Sequence, residues 1–210
     1  MRAPADMATL GAVSVAFGAK ARAAVQRAAN GLRRYNPDIP LTVIGDTPPD
    51  GVDCNFVTFA TPGFGARWAK LNLLDLTPYD FTLYLDADTE PLGDLHVGFQ
   101  ILADGYDLAI APSINQDGDV LAHIDNPERA YTLERVFLPL QLQAGVLFIA
   151  RNAITVSLLA HWQEEWQRYA QHDQAALLRA LETAPARIWL LGRAWNGGEL
   201  IAHHFGEARQ

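Results

Sequence analysis

The chain has 210 residues, a length that fits one domain large enough to bury a substantial hydrophobic core. Half of the residues are apolar and 19% are charged, as is typical of folded soluble proteins. The formal net charge of −8 argues against a nucleic-acid-binding surface or a polybasic membrane patch, because both need clustered lysine and arginine.

Cysteine content and hydropathy indicate the cellular setting. The single cysteine, Cys54, excludes an internal disulfide and a zinc site built from cysteines. Residues 1–9 hold one arginine and no long apolar stretch, so we expect no secretory signal there. No run of about 20 apolar residues predicts a membrane span. These features favour a cytoplasmic protein in a reducing compartment.

Short apolar runs alternate with amphipathic stretches along the chain. The apolar runs predict strands at residues 12–17, 41–45, 55–59, 81–85, 107–111 and 145–150, and late edge elements at 188–191 and 200–205. The amphipathic stretches predict helices at residues 20–35, 66–75 and 153–169, the last with Asn152 as its N-cap and with Trp162, Trp166 and Tyr169 as a core-packing stripe. This alternation predicts an α/β fold with a Rossmann-like, mostly parallel sheet flanked by helices.

Residues 113–140 form the one long segment without a clear apolar run. Long irregular insertions in compact domains are often functional loops or lids. We therefore expect this segment to shape part of a substrate site and to be the most mobile internal region. Its polar and ionisable candidates are Asn115, Gln116, Asp117, Asp119, His123, Asp125 and Asn126.

Two carboxylates follow the apolar strand predicted at residues 81–85. In a sheet of this kind, ligands bind beyond the carboxyl ends of the strands. Asp86 and Asp88 are two residues apart, so in an extended chain both side chains face the same side. Two neighbouring anions are mutually costly unless a cation lies between them, and oxygen ligands suit Mg²⁺ or Mn²⁺. The pattern predicts a metal site whose ion can neutralise a pyrophosphate leaving group. Phe17 and Asp46 follow the first two strands and are candidates to line a nucleoside pocket.

Several segments resemble the glycosyltransferase family 8 and glycogenin-like enzymes. The contiguous part, at residues 67–95, includes Ala69-Lys70-Leu71, Leu76-Thr77-Pro78-Tyr79 and Tyr84-Leu85-Asp86-Ala87-Asp88-Thr89. Three weaker matches follow in the family's order. Gln143-Ala144-Gly145-Val146 resembles an Asn-x-Gly-Val strand with Gln in place of Asn, and Asp173-Gln174 resembles an Asp-Gln motif at the start of a helix. The segment His203 to Arg209 resembles a closing His-x-x-Gly-x-x-Lys with Arg209 in place of lysine.

The resemblance implies a single GT-A domain. Residues 10–112 would form the nucleotide-binding half with its Asp-x-Asp motif, and residues 113–210 the half that binds the donor sugar and the acceptor. It further implies a hexosyltransferase that uses Mn²⁺ (or Mg²⁺) and a nucleoside diphosphate sugar, most simply a UDP-sugar, with retention of anomeric configuration. The acceptor stays open between a glycan, a lipid-linked glycan and a protein.

The same resemblance implies roles for individual residues. Lys70 would contact the phosphates or the sugar, and Arg209 would clamp the diphosphate as a bidentate ligand. Asp173 and Gln174 would hold the hydroxyls of the donor sugar or stabilise charge at the anomeric carbon. Gln143 would lie near the sugar, where its extra methylene relative to asparagine puts the geometry in doubt. His203 would complete the metal site with Asp86 and Asp88, whereas the neighbouring side chain of His204 should point the other way.

Three alternatives stay open. Haloacid-dehalogenase-type phosphatases also place Asp-x-Asp after a strand, but they need Thr or Val two residues after the second Asp, where this chain has Glu90. A nucleotidyltransferase needs a glycine-rich loop after the first strand, and Gly18-Ala19-Lys20 is too sparse. The third is a non-catalytic nucleotide-sugar-binding module, which the intact Asp-x-Asp and His203 argue against and the departure at Gln143 slightly favours.

Overall fold

The computed structural model describes residues 8–61, 63–113, 121, 123–137 and 140–206. Its strands are β1 (Leu10–Ala16), β2 (Leu41–Gly45), β3 (Asn55–Thr58), β4 (Phe81–Asp86), β5 (Thr89–Pro91), β6 (Leu108–Pro112), β7 (Leu142–Ala150), β8 (Ile188–Leu190) and β9 (Ile201–His203). Its helices are α1 (Gly18–Tyr35), α2 (Ala66–Leu71), α3 (Leu73–Leu76), α4 (His96–Ala103), α5 (Asn126–Leu133), α6 (Ala153–Gln167) and α7 (Asp173–Thr183), with a 3₁₀ helix at Arg193–Trp195.

Seven strands form one sheet in the order β3-β2-β1-β4-β7-β6-β8. Four neighbouring pairs are parallel, and β7 runs antiparallel to both β4 and β6. The predicted mostly parallel sheet flanked by helices is therefore confirmed. The remaining strands, β5 and β9, pair antiparallel as a separate two-stranded sheet.

The core lies on both faces of the large sheet because the strand side chains alternate between them. In β4, Leu83 and Leu85 pack on the face covered by α1 and α4, whereas Tyr84 packs on the face covered by α6 and α7. Trp162 and Trp166 on α6 are buried on the same face as Tyr84. This confirms core packing for these two members of the predicted stripe. Tyr169 lies beyond the end of α6 and is half-buried.

The helix ends test two of the predictions made from the local sequence. The predicted cap of α6 is confirmed, since the Asn152 side chain accepts hydrogen bonds from the backbone N–H groups of Ile154 and Thr155, and the Thr155 hydroxyl accepts one from the Asn152 N–H. The helix predicted at residues 66–75 is present at that place, but it is not continuous. It is divided into α2 and α3 at Asn72, whose side chain donates a hydrogen bond to the carbonyl of Trp68 at 2.7 Å.

The description of residues 113–140 as irregular throughout is wrong, because α5 lies within it. Proline tolerates the first turn of a helix, and Pro127 occupies that position in α5. Four of the segment's polar candidates, Asn115, Gln116, Asp117 and Asp119, lie outside the described residues. The sequence reading also missed α4 and β5. Over the part of the chain that the structure describes, no helix is both long enough and apolar enough to cross a membrane.

A buried arginine joins three of the helices, α5, α6 and α7. The fully buried guanidinium of Arg179 on α7 donates to the Glu165 carboxylate on α6 at 2.8 Å and to the Glu128 carboxylate on α5 at 3.1 Å. It also donates to the hydroxyl of Thr132 at 2.7 Å. Because Glu128 is almost completely buried, its charge depends on this partner. The ion-pair network therefore fixes α5 against the helices that carry the candidate site.

We expect Arg179→Leu to lower the free energy of unfolding by about 3–5 kcal/mol, since removing one partner leaves a buried carboxylate uncompensated. Urea denaturation measures the change. Arg168→Leu is the matched control, because Arg168 bonds the same Glu165 carboxylate at 3.2 Å but is 51% exposed. The control should lose at most about 1 kcal/mol. An equal decrease in the free energy of unfolding of both variants would show that the buried network stabilises the fold no more than the exposed ion pair does.

Candidate metal centre

A cleft of about 1060 Å³ opens at the carboxyl ends of β1, β2 and β4. This is the point where the strand order reverses, and α/β sheets bind ligands there. One wall carries Phe17, which follows β1, and Asp46, which follows β2. The floor carries Asp86, Asp88 and His203.

The backbone of two short strands brings His203 to the two aspartates. Asp86 ends β4, and its carbonyl accepts a hydrogen bond from the Thr89 hydroxyl at 2.7 Å, which holds the turn between them. β5 then pairs with β9 so that Thr89 lies opposite His203. One ligand atom from each of Asp86, Asp88 and His203 lies within 4.8 Å of the other two. Two carboxylates and an imidazole at these separations are a donor set that fits Mn²⁺.

The two adjacent histidines face different partners. His203 Nε2 lies 3.3 Å from Asp88 Oδ1, whereas His204 Nε2 lies 2.9 Å from Glu90 Oε2. The expectation that only His203 faces the aspartates is therefore met by the geometry, and metal ligation by the three residues stays a prediction.

The surroundings of Asp88 favour its ionised form. Burial by itself would raise the pKa of this carboxyl, but the nearby His203 ring and the backbone N–H of Gly206, 3.1 Å from Oδ2, lower it below its ordinary value. The carboxylate is thus ready to bind a cation at neutral pH.

Gly145 on β7 provides the space in which the three candidate ligands converge. A Cβ atom at this position would lie 2.7 Å from Asp86 Oδ2 and 2.7 Å from His203 Cε1. Both distances are shorter than van der Waals contact, so any other residue would push the two ligand side chains apart. This glycine is the third residue of the Gln143 to Val146 motif, and its role follows from the missing side chain.

We expect Gly145→Ala to weaken Mn²⁺ binding by about 10- to 100-fold, the range typical of changes that displace metal ligands from outside the first coordination sphere. Isothermal titration with Mn²⁺ measures the affinity. Gly192→Ala is the control, because a Cβ at Gly192 meets nothing within 4 Å and its backbone φ of −70° suits alanine. Wild-type affinity in Gly145→Ala would show that Gly145 is not needed as a spacer for Asp86, Asp88 and His203, the three candidate ligands that we call the metal group.

Lys70 lies beside the metal group as a buried counter-charge. Its ammonium donates to Asp173 Oδ2 at 2.8 Å, lies 3.7 Å from Asp86 Oδ1, and sits over the ring of Tyr84 at 4.8 Å from the centroid. Burial by itself would lower the pKa of Lys70, but the carboxylates of Asp173 and Asp86 raise it above its ordinary value. Burial would raise the pKa of Asp173, but Lys70 and Arg67 lower it. Lys70 and Asp173 therefore form a charged pair.

Tyr84 extends this network to the metal group. Its hydroxyl donates to Asp86 Oδ1 at 2.8 Å, and burial together with the Asp86 carboxylate raises the pKa of Tyr84 well above its ordinary value. The phenol therefore stays protonated and orients Asp86.

Four side chains form a relay of hydrogen bonds beside the cleft, and three of them, His123, Gln143 and Gln174, line it. The Gln141 amide donates to the Gln174 carbonyl oxygen at 2.7 Å and to His123 Nε2 at 3.0 Å. The Gln174 amide in turn donates to the carbonyl oxygen of Gln143. Gln174 and Gln143, both predicted to lie near the donor sugar, are thus in direct contact with each other and line the cleft.

The remaining predicted residues have distinct outcomes. Phe17 and Asp46 line the cleft, and their contact with a nucleoside stays a prediction. Asp46 is held by Arg22, whose guanidinium nitrogen lies 2.8 and 3.0 Å from its two carboxylate oxygens. Arg209 lies outside the described residues. The sequence reading missed Gln141, Gly145 and Asn196. Gln141 had one available signal, because it alternates with Gln143 along a strand and so shares its face.

Comparisons with known proteins identify the fold. No known family model and no curated protein matches the sequence. Among solved structures, the chain is similar to the galactosyltransferase LgtC in complex with donor and acceptor sugar analogs, with a TM-score of 0.60 and 17% identity over 89% of this chain and 74% of that one. It is similar to mouse xyloside xylosyltransferase 1 at a TM-score of 0.60 and 14% identity, over 89% and 86% of the two chains.

A third similar structure is the bifunctional glycosyltransferase WbbM, with a TM-score of 0.63 and 15% identity over 94% of this chain and 42% of that one. The chain has the GT-A fold of these proteins. The predicted fold class is therefore confirmed, whereas membership of glycosyltransferase family 8 stays a prediction.

Proposed function

We propose that this chain is a metal-dependent glycosyltransferase that takes its sugar from a nucleoside diphosphate sugar. The observation that carries the proposal is the Asp86, Asp88 and His203 group on the floor of the cleft. It lies at the sheet's switch point, where a nucleotide bound along β1 and β2 would bring its diphosphate. The structural neighbours, which are glycosyltransferases, agree with this assignment.

The donor set defines what a bound ion would do. Asp86, Asp88 and His203 would hold Mn²⁺ or Mg²⁺, which when bound offsets the negative charge of a diphosphate leaving group. Neighbouring groups of the chain orient the two aspartates and keep Asp88 ionised. Tyr84 and Lys70 orient Asp86, and the Gly206 N–H orients Asp88. Lys70 supplies a permanent positive charge at the edge of the same site.

The sugar would lie between the metal group and the glutamine relay. Gln174 and Gln143 face the cleft, and Asp173, next to Gln174, is held ionised by Lys70. One of the similar structures is an LgtC variant whose active-site glutamine is changed to glutamate. Glutamine side chains here would orient the sugar hydroxyls or stabilise positive charge at the anomeric carbon. Retention of anomeric configuration, use of a UDP-sugar and a glycan, lipid-linked glycan or protein acceptor complete the proposal.

A panel of nucleoside diphosphate sugars tests this function. The chain is incubated with each donor, with and without Mn²⁺, and thermal stability and donor hydrolysis are recorded. A donor at a hundredfold excess over its dissociation constant should stabilise the fold by about 2.7 kcal/mol, and Mn²⁺ should be needed for this effect. Binding without any turnover would instead indicate a nucleotide-sugar-binding module. Release of inorganic phosphate from a monoester would indicate the phosphatase alternative.

Asp88→Asn should keep the fold and reduce Mn²⁺-dependent turnover of the donor by at least about 10²-fold, since loss of one charged ligand weakens metal and diphosphate binding together. Asp104→Asn makes the same charge change on an exposed residue at the far end of α4 and should act like wild type. Near wild-type turnover in Asp88→Asn would refute the assignment of Asp88 to the metal.

Lys70→Ala should lower turnover by on the order of 10²-fold, the size expected for loss of one preorganised electrostatic contact. It should also destabilise the fold, since Asp173 loses its main partner. Turnover is therefore compared at a temperature where the variant is fully folded. The chain's other lysine, Lys20, is exposed on α1, and Lys20→Ala serves as the control. A folded Lys70→Ala enzyme with unchanged turnover would show that Lys70 acts on stability alone.

A further inference from the structure

We propose that Asn196 is a positioning residue that sets the tautomer of His203 and so aims the Nε2 lone pair of that ring at the two aspartates. The inference rests on the proposed function in one respect, since an ion at the Asp86, Asp88 and His203 group is what the lone pair would serve. The tautomer itself is a property of the metal-free chain and can be measured without any substrate.

The contact between the two side chains is direct and buried. Asn196 follows the 3₁₀ helix and is 1% exposed, and its carboxamide oxygen lies 2.9 Å from His203 Nδ1. With the amide oriented as it is in the structure, its oxygen faces Nδ1 and can only accept a hydrogen bond, so this orientation places the ring hydrogen on Nδ1. A neutral imidazole has one N–H, and Nε2 is then left with a free lone pair.

The position of Nε2 agrees with this assignment. It lies 3.3 Å from Asp88 Oδ1, longer than the 2.7–2.9 Å typical of a charge-assisted hydrogen bond. An unprotonated nitrogen and a carboxylate oxygen are both acceptors, and they belong side by side only when a cation joins them. Asp86 approaches the same region, since its Oδ2 and His203 Cε1 both lie 2.7 Å from the place a Gly145 Cβ would take.

Other contacts fix where the ring lies but not where its hydrogen is. The ring stacks on Phe205 with centroids 3.9 Å apart and planes inclined by 16°. The β5–β9 pairing holds the backbone of His203 opposite Thr89. Neither contact distinguishes the two ring nitrogens. Among the described residues, the Asn196 amide is the group hydrogen-bonded to Nδ1, and so the tautomer depends on it.

A tight loop holds Asn196 in place. Backbone N–H groups of Gly197 and Gly198 donate to the carbonyl of Ile201 at 2.9 and 3.0 Å, and the N–H of Leu200 donates to the carbonyl of Ala194 at 2.9 Å. Trp195 anchors the loop by packing edge-on against Phe148, with centroids 5.6 Å apart. These contacts hold the backbone that carries Asn196, and so they hold its amide beside His203.

Stability alone does not account for an asparagine here. Its Nδ2 is buried and has no hydrogen-bond partner within the part of the chain that the structure describes. An unsatisfied buried amide costs stability, so a leucine of similar shape would suit the packing at least as well. In Asn196→Leu, the hydrogen of His203 would move to Nε2 and bond to Asp88 Oδ1. That arrangement satisfies the ring but blocks its lone pair.

The test compares wild type, Asn196→Leu and Asn196→Asp. Long-range ¹H–¹⁵N NMR of the metal-free chain at pH 8, above the ordinary histidine pKa of about 6.5, shows which ring nitrogen is protonated. His203→Gln assigns the signals, and His204 serves as an internal reference that should not change. Titration with Mn²⁺ alone gives the metal affinity, and thermal denaturation gives the stability.

We expect an Nδ1–H tautomer in wild type and in Asn196→Asp, whose carboxylate also accepts from Nδ1. Asn196→Leu should show the Nε2–H tautomer, bind Mn²⁺ about 10- to 100-fold more weakly and keep nearly the wild-type melting temperature. An Nε2–H tautomer in wild type would overturn the inference even if Asn196→Leu failed to fold. So would wild-type Mn²⁺ affinity in Asn196→Leu. The expected NMR and Mn²⁺ results without turnover of any nucleoside diphosphate sugar would support the role of Asn196 and refute the proposed function.

Discussion

The repulsion between carboxylates at one edge of the sheet is the constraint on which the candidate site depends. Asp86, Asp88 and Asp173 converge on one cleft, and anions so close together are costly in a half-buried setting. Lys70 compensates one side of this group, since its ammonium lies 2.8 Å from Asp173 and 3.7 Å from Asp86. Among the described residues, no lysine or arginine side chain forms an ion pair with Asp88. The arrangement therefore leaves room and charge for a divalent cation between Asp86, Asp88 and His203.

The antiparallel direction of β7 explains how this strand contributes residues to the same cleft as the parallel strands. In a parallel strand, the residues that reach the cleft follow the apolar run, as Phe17, Asp46 and Asp86 do. Because β7 runs the other way, the residues that reach the same edge come before its apolar run, and Leu85 pairs with Val146. This reversal places Gly145 beside Asp86 and Gln143 within reach of Gln174.

The sequence predicted the parts of the site that depend on local pattern. Asp86 and Asp88 were identified because two carboxylates follow an apolar strand, and the opposite facing of His203 and His204 follows from strand geometry. Asn196 and Gly145 could not be found in this way. The role of Asn196 arises from a loop that returns it to His203, and that of Gly145 from the absence of a side chain at a point where two others meet. Helix α5 was missed because Arg179, a residue 51 positions beyond Glu128, supplies the buried contact that holds it.

The contact with Gln174 shows what a glutamine, rather than an asparagine, does at position 143. The extra methylene that separates it from asparagine lets its carbonyl oxygen meet the amide of Gln174, whose own carbonyl oxygen is occupied by Gln141. Gln174 then keeps one N–H and one lone pair for a ligand, in an orientation set by both neighbours. An asparagine at position 143 would leave the Gln174 amide to turn more freely. The glutamine at a position where the resembled motif has asparagine therefore holds Gln174 in a more defined orientation in the cleft. Asp86, Asp88 and His203 are held separately, by strand pairing and by the space that Gly145 leaves.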